Sequence, residues 1–112
     1  MTNKDKIILQ KILAYVDEVS QYVKGYNFDS FLEDRKTISA CSFIISQIGE
    51  LSKELSEAIQ NDNPNIPWIS IRGMRNKIVH DYENIDYMVL WGTIETSLPE
   101  LKRQLAELIK YQ

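Results

Sequence analysis

Apolar residues recur at helical spacing along four stretches of the chain. From about residue 3 to 24, Ile8, Ile12, Tyr15, Val19 and Tyr22 follow at intervals of 4, 3, 4 and 3, which stacks them on one helical face. Thr2 with Asp5 three residues on has the form of a capping arrangement, and Gly25 is a natural helix stop. Between about 26 and 36 there is room for one or two helical turns, with Asp29 as the cap. The segment from about 37 to 60 places Cys41, Ile48 and Leu55 seven apart, interleaved with Ile44, Leu51 and Ala58. That is the seam of a bundle helix, and Asn61-Asp62-Asn63-Pro64-Asn65 ends it with turn chemistry.

A third helix is predicted from Pro67, whose fixed φ suits a first turn, to about His80. A fourth begins near Asp86 and keeps one seam of Tyr87, Trp91, Ile94, Leu98, Leu101, Leu105 and Leu108. Pro99 interrupts its hydrogen bonding, and Ser97 with Glu100 has the spacing of a fresh cap. Either a kink or a short break is expected there. The pattern predicts an all-α fold, an up-and-down bundle of four to five helices in one domain spanning residues 1–112.

Composition narrows the function classes. A chain of 112 residues, 44% hydrophobic and 26% charged, builds a single core. Its longest uncharged run, Thr37 to Gly49, falls short of the roughly 18 residues of a membrane span. The opening MTNKDKIILQ lacks the apolar stretch of a secretory signal, so a cytoplasmic, reduced home and no membrane are expected. One cysteine, Cys41, excludes an intrachain disulfide and a thiolate-built zinc site. The net charge of −3 excludes a general polyanion-binding surface. Arg72, Arg75 and Lys77 nevertheless fall within six residues with no acid between them, so any phosphate contact is local to that segment.

On an ideal helix over residues 67–81, Pro67, Ile71, Met74 and Ile78 make the core face. Arg72, Asn76 and His80, at i, i+4 and i+8, line the opposite side, bordered by Arg75 and edged by Trp68, Ile69 and Val79. A polar stripe with an apolar border suggests a partner surface. Spacing alone also admits an ordinary reading, in which Arg75 is a solvated arginine and His80 a histidine at a helix C-terminus. Tyr82, Tyr87 and Trp91 then pack as core aromatics, and Cys41 is a buried inert thiol. A single histidine with no carboxylates facing it makes no metal ligand set, and no cofactor is expected.

The string from Ile66-Pro67-Trp68 through Arg75-Asn76-Lys77-Ile78-Val79-His80-Asp81-Tyr82, with a small-residue turn at Gly73, resembles the signature of HepT-like proteins of the HEPN superfamily. These are the toxin halves of MNT–HepT toxin–antitoxin modules. The likeness covers nearly the whole chain, including Phe31-Leu32-Glu33-Asp34-Arg35, Ile48-Gly49-Glu50 and Leu98-Pro99-Glu100-Leu101. The resemblance implies a homodimeric helical bundle acting as a metal-independent ribonuclease toxin on an RNA substrate. Arg75 and His80 would be catalytic, with Asn76, Arg72 and Lys77 in supporting or RNA-binding places. It also implies neutralisation by an MNT-type nucleotidyltransferase antitoxin that attaches AMP to Tyr82.

Physical chemistry is compatible with those roles. RNA carries its own nucleophile, the 2′-hydroxyl, so cleavage needs proton transfer and charge stabilisation. Histidine, with an ordinary pKa of about 6.5, moves protons at neutral pH, and arginine forks two N–H bonds onto a phosphate. One histidine per chain is awkward where both a base and an acid are wanted, and a symmetric dimer supplies two. On one continuous helix Arg75 and His80 point about 140° apart. Either the helix ends before His80 or the site is shared across the dimer. Two rivals stand beside the nuclease: a non-catalytic HEPN module that binds RNA or nucleotide in the same cleft, and a helical subunit that holds a nucleotidyltransferase.

Overall fold

A computed structural model describes residues 1–81 and 84–110, with His80 and Asp81 described by their backbone alone. Helix α1 (Asn3–Tyr22) opens on the expected capping box: Thr2 Oγ1 accepts from the Asp5 N–H at 2.9 Å, and the Asp5 side chain caps in return. It buries Ile8, Leu9, Ile12, Val16 and Val19, whereas Tyr15 is half-buried and Tyr22 is exposed. The core face is thus turned slightly from the predicted one, toward Leu9 and Val16. The Tyr22 hydroxyl instead donates to Glu18 at 2.6 Å. The chain then reverses through Gly25, whose φ of 83° is a left-handed conformation that glycine adopts at little cost.

Helix α2 (Phe28–Leu32) is capped by Asn27 rather than by the expected Asp29, which lies inside the first turn. Asn27 and Ser30 exchange backbone and side-chain bonds at 2.9 and 3.0 Å, satisfying two N–H groups that Asp29 would leave unmet. Phe31 is fully buried, with its ring 4.8 Å from that of Trp91. Helix α3 (Arg35–Ser52) starts at Asp34, whose carboxylate accepts from the Thr37 N–H and hydroxyl and from the Tyr26 hydroxyl. Those bonds, Tyr26 first, hold the Asp34 pKa down at about 2.

Residues 37–60 do not form one helix. Helix α3 stops at Ser52, and α4 (Glu57–Asp62) follows after a turn. The break has a physical anchor. Asp5, buried near the start of α1, accepts the Ser56 N–H at 2.9 Å and its hydroxyl at 2.6 Å. Ser56 in turn caps α4 through the Ile59 N–H. Burial pushes the Asp5 pKa upward, but the bonds from Ser56 and Thr2 together outweigh it and leave it lowered. The break shifts the apolar phase. Cys41, Ile44, Ile48 and Leu55 stay buried, Leu51 is half-buried, and Ile59 takes the place expected of the exposed Ala58.

The predicted third helix is also divided. Helix α5 (Trp68–Arg72) and helix α6 (Met74–Ile78) are separated by Gly73, and the chain then leaves helical geometry for strand β1 (Val79–Asp81). Strand β1 pairs antiparallel with β2 (Asn84–Ile85), an element the pattern did not predict. The Asp86 N–H closes the ladder on the Ile78 carbonyl at 2.7 Å.

Helix α7 (Tyr87–Gly92) is capped by Asp86, the residue near which the fourth segment is expected to begin. It passes through one widened π-helical turn (Thr93–Ser97) into α8 (Leu98–Lys110). The Leu98 N–H bonds to the Thr93 carbonyl, five residues back. Pro99 donates no N–H and its ring crowds the carbonyl four residues earlier, so the wider turn relieves it while keeping the rod helical. Leu90, Ile94, Leu98, Leu101, Leu105 and Leu108 form the buried seam; Trp91 is half-buried and Tyr87 is exposed. Helix α3 lies at the centre, packed by α1 on one side and by α5 and α6 on another, and α8 covers α1. The result is an all-α bundle with a small antiparallel ladder at one corner. No helix among the described residues is long and apolar enough to cross a membrane.

Candidate functional site

The basic segment sits where helical geometry is repeatedly ended. Trp68, expected at the edge of the polar stripe, is buried, and its indole N–H donates to the Asn63 carbonyl at 3.0 Å, anchoring α5. Pro67 is exposed, one residue before the helix, and Ile71, Met74 and Ile78 bury as expected. The α5–α6 junction is pressed against α3 at Gly49. A Cβ there would lie 3.3 Å from the carbonyl oxygens of both Ile71 and Arg72, closer than side chains ordinarily approach. Gly49 thereby fixes how near the basic segment stands to the core.

The division at Gly73 takes apart the stripe expected on one helix. Arg72 lies half-buried on α5, and its Nη1 donates to Gln60 Oε1 on α4 at 2.7 Å. Arg75, Asn76 and Lys77 follow on α6 and are all exposed. Neither Arg75 nor Lys77 has an ion-pair partner among the described residues. Two unpaired cations in a short exposed segment are available to a phosphate.

His80 lies beyond the helix. The backbone turns extended at Val79, with φ −106° and ψ 110°, and His80 is the central residue of β1. The separation of about 140° imposed by a continuous helix therefore does not apply. The helix ends before His80, as one of the two sequence alternatives requires. Tyr82 lies outside the described residues.

Other groups fall to structural roles. Cys41 is buried, and burial, with the Asp34 charge behind it, raises its thiol pKa to about 11, which leaves it protonated and inert. Among the described residues no three His, Cys, Asp or Glu side chains converge on a metal site. Sequence reasoning missed the Gln60 partner of Arg72 and the packing role of Gly49. The first has no local signature, and the second shows only as a glycine in the middle of a helix.

The profile of the family described as Ribonuclease HepT-like matches residues 12–108. Among curated relatives, one named as a candidate RNase from Methanocaldococcus jannaschii is 30% identical over 94% of this chain and 90% of its own. Another candidate RNase, from Caldanaerobacter subterraneus subsp. tengcongensis, is 32% identical over 91% of each chain. A probable ribonuclease HepT from Thermococcus cleftensis is 32% identical over 98% of this chain and 100% of its own. No solved structure gives a significant match.

Proposed function

The chain belongs to the HepT-like ribonuclease family, and on that premise we propose that it cleaves RNA without a metal, using Arg75 and His80. The observation that carries this reading is the end of α6 at Ile78, which leaves Arg75 exposed on the last helical turn and His80 in extended backbone directly after it. The 2′-oxygen attacks the adjacent phosphorus as its proton passes to the imidazole of His80. The P–O2′ bond forms, and the P–O5′ bond breaks as O5′ takes a proton from a second, protonated imidazole. The products are a 2′,3′-cyclic phosphate and a 5′-hydroxyl. Arg75 stabilises the extra negative charge of the pentacoordinate transition state with two N–H bonds. Asn76 orients the phosphate or the imidazole, and Lys77 holds a neighbouring phosphate. Arg72, bonded to Gln60, supports the segment from the side of α4.

One histidine per chain supplies a base or an acid but not both at once, so the reading includes a homodimer with two copies of the site facing each other. It also includes, as a toxin of a toxin–antitoxin pair in the cytoplasm, control by an MNT-type nucleotidyltransferase that attaches AMP to Tyr82. A nucleotide there adds a negative charge and an adenosine close in sequence to His80, which opposes RNA by repulsion and bulk.

Product chemistry tests the cleavage. An oligonucleotide with a single 2′-deoxy sugar at the cut position should resist at that bond alone, and the products should carry cyclic phosphate ends. Cleavage of the 2′-deoxy bond would overturn the mechanism. For Tyr82, intact-mass measurement after co-expression with the antitoxin should show added AMP that is absent from Tyr82→Phe; a gain retained by that variant would overturn the assignment.

A further inference from the structure

We propose that the groove between α5–α6 and the π-helical turn at the head of α8 is a subsite for one nucleobase of the RNA, so that this chain selects where it cuts. The inference rests on the nuclease reading above. The groove encloses about 380 Å³, within the range of small-ligand sites. Its apolar lining comes from Ile71, Met74 and Leu101, and its wall also holds the polar residues Thr96, Ser97 and Gln104. An apolar lining takes the face of a flat ring, methionine sulfur being well suited to aromatic contact. Hydroxyls and an amide at the edge pair with ring nitrogens and exocyclic groups, the pattern by which unstacked RNA bases are read.

Charge favours a nucleotide over an uncharged ring. Lys77 lines the rim and has no ion-pair partner among the described residues. Glu100, the acid on the same rim, is neutralised by Arg103, which donates to both its carboxylate oxygens at 2.5 and 3.0 Å. Lys77 and Arg75 stand on opposite flanks of α6, two residues apart. A strand whose scissile phosphate lies at Arg75 crosses Asn76, meets Lys77 with another phosphate and lowers a base into the groove. The wall exists because of Pro99: the widened turn that accommodates it supplies Thr93, Thr96 and Ser97 to the lining. Turns of this kind are frequent at functional sites.

Amide NMR titration of the wild-type protein with AMP, GMP, CMP and UMP separately tests the groove without relying on catalysis. At least one nucleotide should shift Ser70, Thr96, Ser97 and Gln104 together, and Thr96→Trp, which fills the groove from an exposed position, should weaken that binding at least tenfold. The same variant should lose its base preference at the subsite while its thermal midpoint stays that of the wild type. Cleavage by the wild type with no nucleotide response in the groove, or an unchanged preference in Thr96→Trp, overturns the subsite alone. Groove shifts in a protein that cuts no RNA support a nucleotide site there and overturn the nuclease reading instead.

Discussion

Two stretches of equal length behave in opposite ways. The 18 residues of α3 run as one helix and bury a row of isoleucines against α1, α5 and α6. The described residues between 68 and 85 instead form two five-residue helices divided at Gly73 and a short antiparallel ladder. Both carry apolar residues at helical spacing. The difference is what else they hold. In α3 every polar position is compatible with a rod, whereas a rod over 68–80 would point Arg75 and His80 apart. The interruptions give up helical hydrogen bonding, and they leave three exposed polar side chains on α6 with His80 beyond its end. One region is built for stability, the other for presentation.

Substitutions at the two regions should therefore separate stability from cleavage. Arg75→Ala should lower RNA cleavage by about 10²–10³-fold, the usual loss for a removed transition-state donor, with an unchanged thermal midpoint. Ile45→Ala in α3 should do the reverse, costing about 2–5 kcal/mol in denaturant unfolding because it empties a fully buried position, while activity per folded molecule holds. If Arg75→Ala unfolded the protein as much as Ile45→Ala, the division of labour would be wrong.

Gly49→Ala joins the two regions. Its methyl meets the Ile71 and Arg72 carbonyls at 3.3 Å, so it should cost about 1–3 kcal/mol, as overpacking does. Alone among changes in α3, it should also reduce cleavage by displacing α5 and α6. Amide shifts confined to α3 would show that the junction is not set there.

Acid sensitivity belongs to the framework rather than to the presented segment. Asp5 and Asp34 both have folded pKa values below the ordinary carboxylate range, Asp34 at about 2. Each stabilises the fold above about pH 4, the unfolded value, and loses that contribution as pH falls through its folded pKa. Asp5→Asn should lower stability at pH 7 and flatten its fall below pH 4, followed by urea midpoints from pH 7 to 2.5. The smallest effect is expected at Arg72→Ala, which removes the Gln60 bond and should cost about 0.5–1.5 kcal/mol, with much less loss of cleavage than Arg75→Ala.

Much of the bundle was legible in the pattern: the first segment, the start of the fourth near Asp86, the Thr2 capping box, the stop at Gly25 and most of the buried seams stand where spacing puts them, whereas the second and third segments are each divided. What was not legible depends on partners distant in sequence. The end of α3 is tied to Asp5, 51 residues from Ser56, and no local signal marks it. The division at Gly73 was visible only as a glycine within an otherwise periodic stretch. The ladder after Ile78 replaces a helical pattern that Val79 and His80 would have continued. At the candidate site, Arg75, Asn76 and Lys77 were read from charge and resemblance and are found exposed together, whereas the Gln60 bond of Arg72 follows only from folding.

The most direct measurement compares the purified wild-type protein with His80→Ala on total RNA in excess EDTA. Cleavage by the wild type and none by a folded His80→Ala is the predicted result. Equal cleavage by both, or none by a folded, AMP-free wild-type dimer, would contradict a metal-free site built on His80.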